Sequence, residues 1–134
     1  MRYIEKCVYC SLSFAINLRH LLYNTGIAKL GPYTSSKFAI QGMTMAAATE
    51  YGKKKIRVNA VAPTATETAM IKQFIESADN PEAVTNKMTA MNVLPGMVQP
   101  DDVAGAVSFL LGNDSRYITG HTLPICAGAL ARLG

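Results

Sequence analysis

Two residues four positions apart carry the clearest chemistry in the chain. They are Tyr33 and Lys37, in the run Tyr33-Thr34-Ser35-Ser36-Lys37. On a helix this spacing puts both side chains on one face. A free phenol has a pKa near ~10 and is a poor base at neutral pH. A neighbouring ammonium favours the phenolate. Bringing the pKa to about 7 takes roughly 4 kcal/mol, and one cation in partly desolvated surroundings, with a cationic ring beside it, supplies energy of that order. Such a tyrosine takes a proton from an alcohol or gives one to a carbonyl. A bare Y-x-x-x-K also arises by chance, as an exposed helical pair, so the elements around it decide what it means.

Those elements are legible from Pro32 onward. Residues 34–51 combine strong helix formers with an apolar stripe of Phe38, Ile40, Met43, Met45, Ala46 and Ala47, and Gly52 stands where a helix stops. The run Ile56-Arg57-Val58-Asn59-Ala60-Val61-Ala62 is β-branched and nearly continuous in apolar character, like a parallel strand buried on both faces, and Pro63 ends it. Helical pieces follow at Ala69–Ser77 and Pro81–Met91, with Pro81 at a first helical position. Pro100-Asp101-Asp102 opens a helix through Leu111, its acids at the positive end of the dipole, and Thr122–Ile125 reads as a last strand. Before Pro32, Phe14, Ile16, Leu18, Leu21 and Leu22 fit a short amphipathic helix, and Asn24-Thr25-Gly26 a turn. The alternation predicts an α/β layered fold.

Composition excludes several classes. The chain has 134 residues, 49% hydrophobic and 16% charged, which is globular rather than disordered and suits one domain. The net charge of +4 is concentrated at Lys53, Lys54, Lys55 and Arg57. No aromatic residues interleave this patch, which favours a solvated turn over nucleic-acid or phosphate contact. Cys7 and Cys10 form a lone C-x-x-C; with Cys126 the count is odd, there is no second ligand pair for a metal, and a reducing, cytoplasmic setting is expected. No stretch reaches the roughly 18 apolar residues of a membrane span.

The blocks around the Tyr–Lys pair resemble a known family. Tyr33 to Thr44 is similar to the segment Y-x-[AS]-S-K-x-A-[VI]-x-G-[LM]-T, and Ile56 to Pro63 to I-R-V-N-x-[VI]-x-P. Gln99 to Ala104 with Val107 to Leu111 resembles P-[DE]-[DE]-[VI]-A…F-L, and Tyr117 to Leu123 resembles Y-I-T-G-x-x-[LI]. In this order and spacing they are the marks of the short-chain dehydrogenases/reductases, over about residues 31–128. The resemblance implies a partial Rossmann-like fold, a doubly wound parallel sheet, with residues 31–134 as its carboxyl-terminal half and 1–30 as a poorly matching segment. It implies an NAD- or NADP-dependent oxidoreductase acting on a small alcohol or ketone. Tyr33 is then the acid/base, and Lys37 lowers its pKa and binds the nicotinamide ribose. Pro63 leads into the segment flanking the nicotinamide, with Thr66 touching the carboxamide through its backbone and Thr68 through its hydroxyl. Residues 69–95 become a substrate lid in which Met70, Ile71, Phe74, Met88 and Met91 either line an apolar pocket or fill core. Homo-oligomers, or pairing with a full-length relative, follow from the family's use of the helix at Tyr33 and of the last helix and strand.

The sequence also departs from that family. No glycine-rich phosphate turn occurs in it, so the amino-terminal dinucleotide-binding half is lacking, only the nicotinamide end of the cofactor site is expected, and the chain by itself is expected to be inactive. Where a carbonyl-polarising serine belongs, about a dozen residues before Tyr33, the chain reads His20-Leu21-Leu22-Tyr23. Ala15 to Arg19 resembles the family's helix bearing a functional asparagine, which makes Asn17 its counterpart and implies a large excision before Tyr33. Thr64 stands for an expected glycine, predicting turn strain, and Cys126-Ala127-Gly128 for D-G-G. With two strands the sheet is predicted to be marginal and to leave apolar surface exposed. A truncated, non-catalytic paralogue is the alternative reading.

Overall fold

The structure, a computed structural model, describes the backbone of residues 14–18 and residues 31–132. The strand predicted at 56–62 is β2, Arg57–Pro63, and every residue before Pro63 is buried. It is the middle of a three-stranded parallel sheet, between β1 (Phe14–Leu18) and β3 (Thr122–Ile125). The near-absence of alternation in Val58, Ala60, Val61 and Ala62 has its cause here, since a central parallel strand is covered on both faces.

Two expectations fail at β1. Phe14–Leu18 is a strand, not part of an amphipathic helix, with Phe14 opposite Arg57 and Leu18 opposite Val61. Asn17 pairs with Ala60 in the sheet, so it is not the asparagine of a helix, and only residues 19–30 connect β1 to the next helix. A run of five apolar-rich residues fits either period, and parallel hydrogen bonding to β2 decides it. Among the described residues the sheet accordingly has three strands rather than two. The stretch His20–Tyr23, the turn at Asn24–Gly26 and the Cys7–Cys10 pair lie outside the described residues.

Helix α1, Gly31–Tyr51, follows, and a 3-10 turn at Gly52–Lys54 ends it at the predicted glycine. The face it turns to the sheet is not the large apolar stripe. Thr44 and Ala48 are its buried residues, flanked by half-buried Lys37, Ile40, Gln41, Ala47 and Tyr51. Small residues let the helix lie close to the sheet, and Thr44 Oγ1 satisfies itself by donating to Ile40 O at 2.7 Å. Phe38, Met43 and Met45 are exposed. A helix apolar on two sides has no single periodic stripe, so the sequence could not say which side meets the sheet.

After β2 come α2 (Ala69–Glu76), α3 (Pro81–Thr89) and α4 (Pro100–Leu111), close to the predicted bounds. Thr68 caps α2, Asn80 caps α3 ahead of Pro81, and Gln99 with Asp102 forms a reciprocal capping box on α4. The turn from α4 to β3 is held by β2. Arg57 donates to Leu110 O at 2.6 Å, Gly112 O at 3.2 Å and Ile118 O at 3.1 Å. Asn59 Nδ2 donates to Ile118 O at 2.9 Å, and Asn59 Oδ1 accepts from His121 N–H at 3.1 Å. Two polar residues are thus buried in a strand because the carbonyls of a neighbouring turn require them.

Candidate functional site

Chain connectivity orients α1. A parallel β1–α1–β2 unit leaves β1 at its carboxyl end, so Gly31 begins at that end and the helix runs back toward the start of β2. At roughly 1.5 Å per residue α1 is about 30 Å long, against about 23 Å for β2 at roughly 3.3 Å per residue. Its first turns, with Tyr33 and Lys37, therefore stand at the end of the sheet where Pro63 leaves β2. In open parallel sheets that end is where ligands bind.

Lys37 Nζ lies 5.4 Å from the centroid of the Tyr33 ring, so the two share a face as their spacing predicts. Burial pushes the Tyr33 phenol above its ordinary 10.0 rather than below it. The ammonium sits over the face of the ring, where it meets the π system, and a lowered pKa requires a positive charge close to the phenolic oxygen.

Pro63 is the last residue of β2, and Thr64 N–H continues the ladder by donating to Ile125 O at 3.1 Å. Thr64 is not strained: the non-glycine residues with positive φ among those described are Lys55 and Ala127. The strain falls at the other departure from the family, where Ala127 sits at φ 47° beside Gly128 at φ 79°. Thr66 Oγ1 donates to Thr64 O at 3.0 Å, and Thr66 O accepts from Thr68 N–H at 2.8 Å. Thr68 Oγ1 accepts from Ile71 N–H at 3.4 Å, an N-cap bond that leaves its own proton available to an acceptor in front of the helix.

Beyond Thr68 the predicted lid is the α2–α3 excursion. A cleft of about 430 Å³ there is lined by Glu67, Lys72, Ile75, Glu76, Thr85 and Met97. None of Met70, Ile71, Phe74, Met88 and Met91 lines it, and Met70, Phe74 and Met91 are exposed. Glu67 escaped the sequence reading. Its carboxylate contacts Gln99 and Lys72, and these partners hold it below the ordinary carboxylate value, Gln99 foremost. No local pattern signals a partner 32 positions away in the chain. Among the described residues no cluster of three metal-ligating side chains occurs, and no helix is long and apolar enough to cross a membrane.

The family model described as enoyl-(acyl carrier protein) reductase matches residues 1–129. The chain belongs to the short-chain dehydrogenase/reductase family. Curated relatives agree. It is 40% identical over 104 residues to a diacetyl reductase [(S)-acetoin forming] of Staphylococcus aureus, covering 74% of this chain and 40% of that protein. It is 38% identical over 113 residues to the (3R)-3-hydroxyacyl-CoA dehydrogenase of Mus musculus, covering 84% and 41%. Carveol dehydrogenase from Mycobacterium avium, solved in complex with NAD, superposes with a TM-score of 0.76 at 31% identity, covering 88% of this chain and 46% of that one. The chain thus spans about two-fifths of the length of the curated short-chain dehydrogenases/reductases it matches. The fold is the expected α/β, Rossmann-like one, and the family is that of oxidoreductases.

Proposed function

We propose that these residues form the nicotinamide-side half of an NAD- or NADP-dependent oxidoreductase that interconverts a secondary alcohol and a ketone. The observation that carries this reading is Lys37 stacked over Tyr33, and chain connectivity, which directs the start of α1 toward the end of the sheet where Pro63 leaves β2, supports it. The residues present fit the nicotinamide end of the cofactor, because the Thr68 hydroxyl keeps a free proton for a carboxamide oxygen and the Thr66 segment is pinned by its own hydrogen bonds. The bound dinucleotide would supply or accept the hydride. Tyr33 exchanges the proton with the substrate oxygen, and Lys37 holds positive charge beside it and binds ribose hydroxyls. A phenol whose pKa lies above its ordinary 10.0 is protonated at neutral pH and can act as the acid in the ketone-reducing direction. The names of the two relatives, a diacetyl reductase and a 3-hydroxyacyl-CoA dehydrogenase, favour a keto group as the target. The sequence contains no glycine-rich turn, so these 134 residues alone bind adenine and phosphate weakly and turn over little. A cytoplasmic setting suits the cysteine count.

The test is NADH fluorescence titration of the chain, with and without diacetyl, alongside Tyr33→Phe and Lys37→Met. Weak binding that Lys37→Met abolishes, and any reduction that Tyr33→Phe abolishes, support the proposal. Reduction that survives Tyr33→Phe refutes it. The exposed Phe38, Met43 and Met45 on α1 favour a second reading, a non-catalytic chain that pairs with a full-length relative. Co-expression with such a relative separates the two, since pairing without NADH binding supports only the second.

A further inference from the structure

The segment after β2 leaves the sheet at Thr66 and comes back at Val98, and several contacts close the base of this excursion. Thr66 and Val98 form a parallel bridge, in which Glu67 N–H donates to Val98 O at 2.9 Å and Val98 N–H donates to Ala65 O at 3.2 Å. One residue along on each side, Gln99 Nε2 donates to Glu67 Oε2 at 2.6 Å. Glu67 Oε1 lies 3.0 Å from Lys72 Nζ on α2. Gln99 is the N-cap of α4, and its own N–H is held by Asp102 Oδ2 at 2.8 Å. Thr68 is the N-cap of α2. Glu67 therefore sits between the first turns of two helices that begin on opposite sides of the bridge.

We infer that Glu67 is a positioning residue, which through Gln99 holds the base of the α2–α3 excursion shut and fixes Thr66 and Thr68. The ion pair with Lys72 is open to solvent on both sides and contributes little. The Gln99 bond is short and charge-assisted, and Gln99 Nε2 also donates to Met97 O at 3.2 Å, which helps to orient it. A mere surface pair would touch one helix; this carboxylate joins two, immediately beside Thr66 and Thr68, to which the proposed function gives the nicotinamide. The value of that position for the cofactor rests on the proposed function, whereas the closure itself does not.

Hydrogen exchange on the whole chain reads the closure directly. In Glu67→Ala the amides at positions 67, 68 and 98 are expected to exchange about fivefold faster, with those of Val58–Ala62 unchanged. Glu67→Gln combined with Gln99→Glu exchanges donor for acceptor and restores protection that Gln99→Glu alone loses. With NADH as probe, Glu67→Ala raises Kd, and the reciprocal pair restores it. Unaltered exchange at 67 and 98 in Glu67→Ala, or no recovery in the reciprocal pair, overturns the closure. Faster exchange with unaltered NADH affinity overturns the positioning role. Should the unaltered chain show no NADH binding, the proposed function falls, and the exchange rates still judge Glu67.

Discussion

Replacing Arg57 by methionine isolates the interaction that joins β2 to the α4–β3 turn. Arg57 is 7% exposed and donates to three carbonyls, those of Leu110, Gly112 and Ile118. Methionine fills much of the volume and provides no donor. Ile118 O keeps its bond from Asn59. Leu110 O and Gly112 O are left to Ser115 Oγ, which lies 2.9 Å and 3.0 Å from them and also 2.8 Å from Phe109 O. A hydroxyl has one proton and Phe109 O keeps its bond from Gly112 N–H at 3.1 Å, so of Leu110 O and Gly112 O one is left without a side-chain donor. An orphaned buried carbonyl costs about 1–3 kcal/mol, and each lost charge-assisted bond adds to that. Relief of the buried guanidinium, whose pKa burial lowers, offsets part of the sum. The net expectation is about 3 kcal/mol. With roughly 2.1 cal/mol/K per residue of unfolding entropy over 134 residues, this is a fall in Tm of about 10 °C. Thermal denaturation followed by circular dichroism measures it. Arg57→Lys, whose ammonium cannot span Leu110 and Ile118 together, should lose about half as much. A loss below about 3 °C in Arg57→Met would show that the carbonyls find other partners and that the turn does not depend on this strand.

Ala127→Gly, which relieves a φ of 47°, should raise stability by about 1 kcal/mol in urea titrations. Gly128→Ala should lower it by more, because φ is 79° and a Cβ there would lie 2.8 Å from Val93 Cβ; the reverse order would refute the assignment of strain. The Glu67 carboxyl is held below its ordinary 4.5, so its contribution is present above that value and disappears as pH falls through the folded-state pKa. Glu67→Gln should therefore flatten the acid limb of stability, and an identical limb in the variant would contradict this. The Tyr33 and Tyr51 phenols are both pushed above 10.0, Tyr33 by burial and Tyr51 chiefly by the Glu50 charge. Their contribution is intact below pH 10 and is lost as pH rises through the raised values, so Tyr33→Phe with Tyr51→Phe should resist alkaline unfolding better. Met43→Lys with Met45→Lys should reduce association in light scattering; both are exposed on α1, and unchanged association would place the contact elsewhere.

The sequence by itself determined the elements from Pro32 onward and the family. Gly52 stopped a helix, Pro63 stood at the end of a buried strand, and Pro81 and Pro100 opened helices, because each of these residues acts through its own backbone geometry. The Tyr33–Lys37 pairing was equally local, one helical turn on one face. Tertiary structure decided everything that depends on a partner far along the chain. Phe14–Leu18 became a strand because β2 offered a hydrogen-bonding edge. The small face of α1 was chosen over the large one because a close approach to the sheet demanded it. The upward direction of the Tyr33 pKa followed from burial, which packing sets. Glu67 found Gln99, and Arg57 found the end of α4, across 32 and 53 positions of sequence. Such contacts arise from packing, and residue spacing alone carries no signal for them.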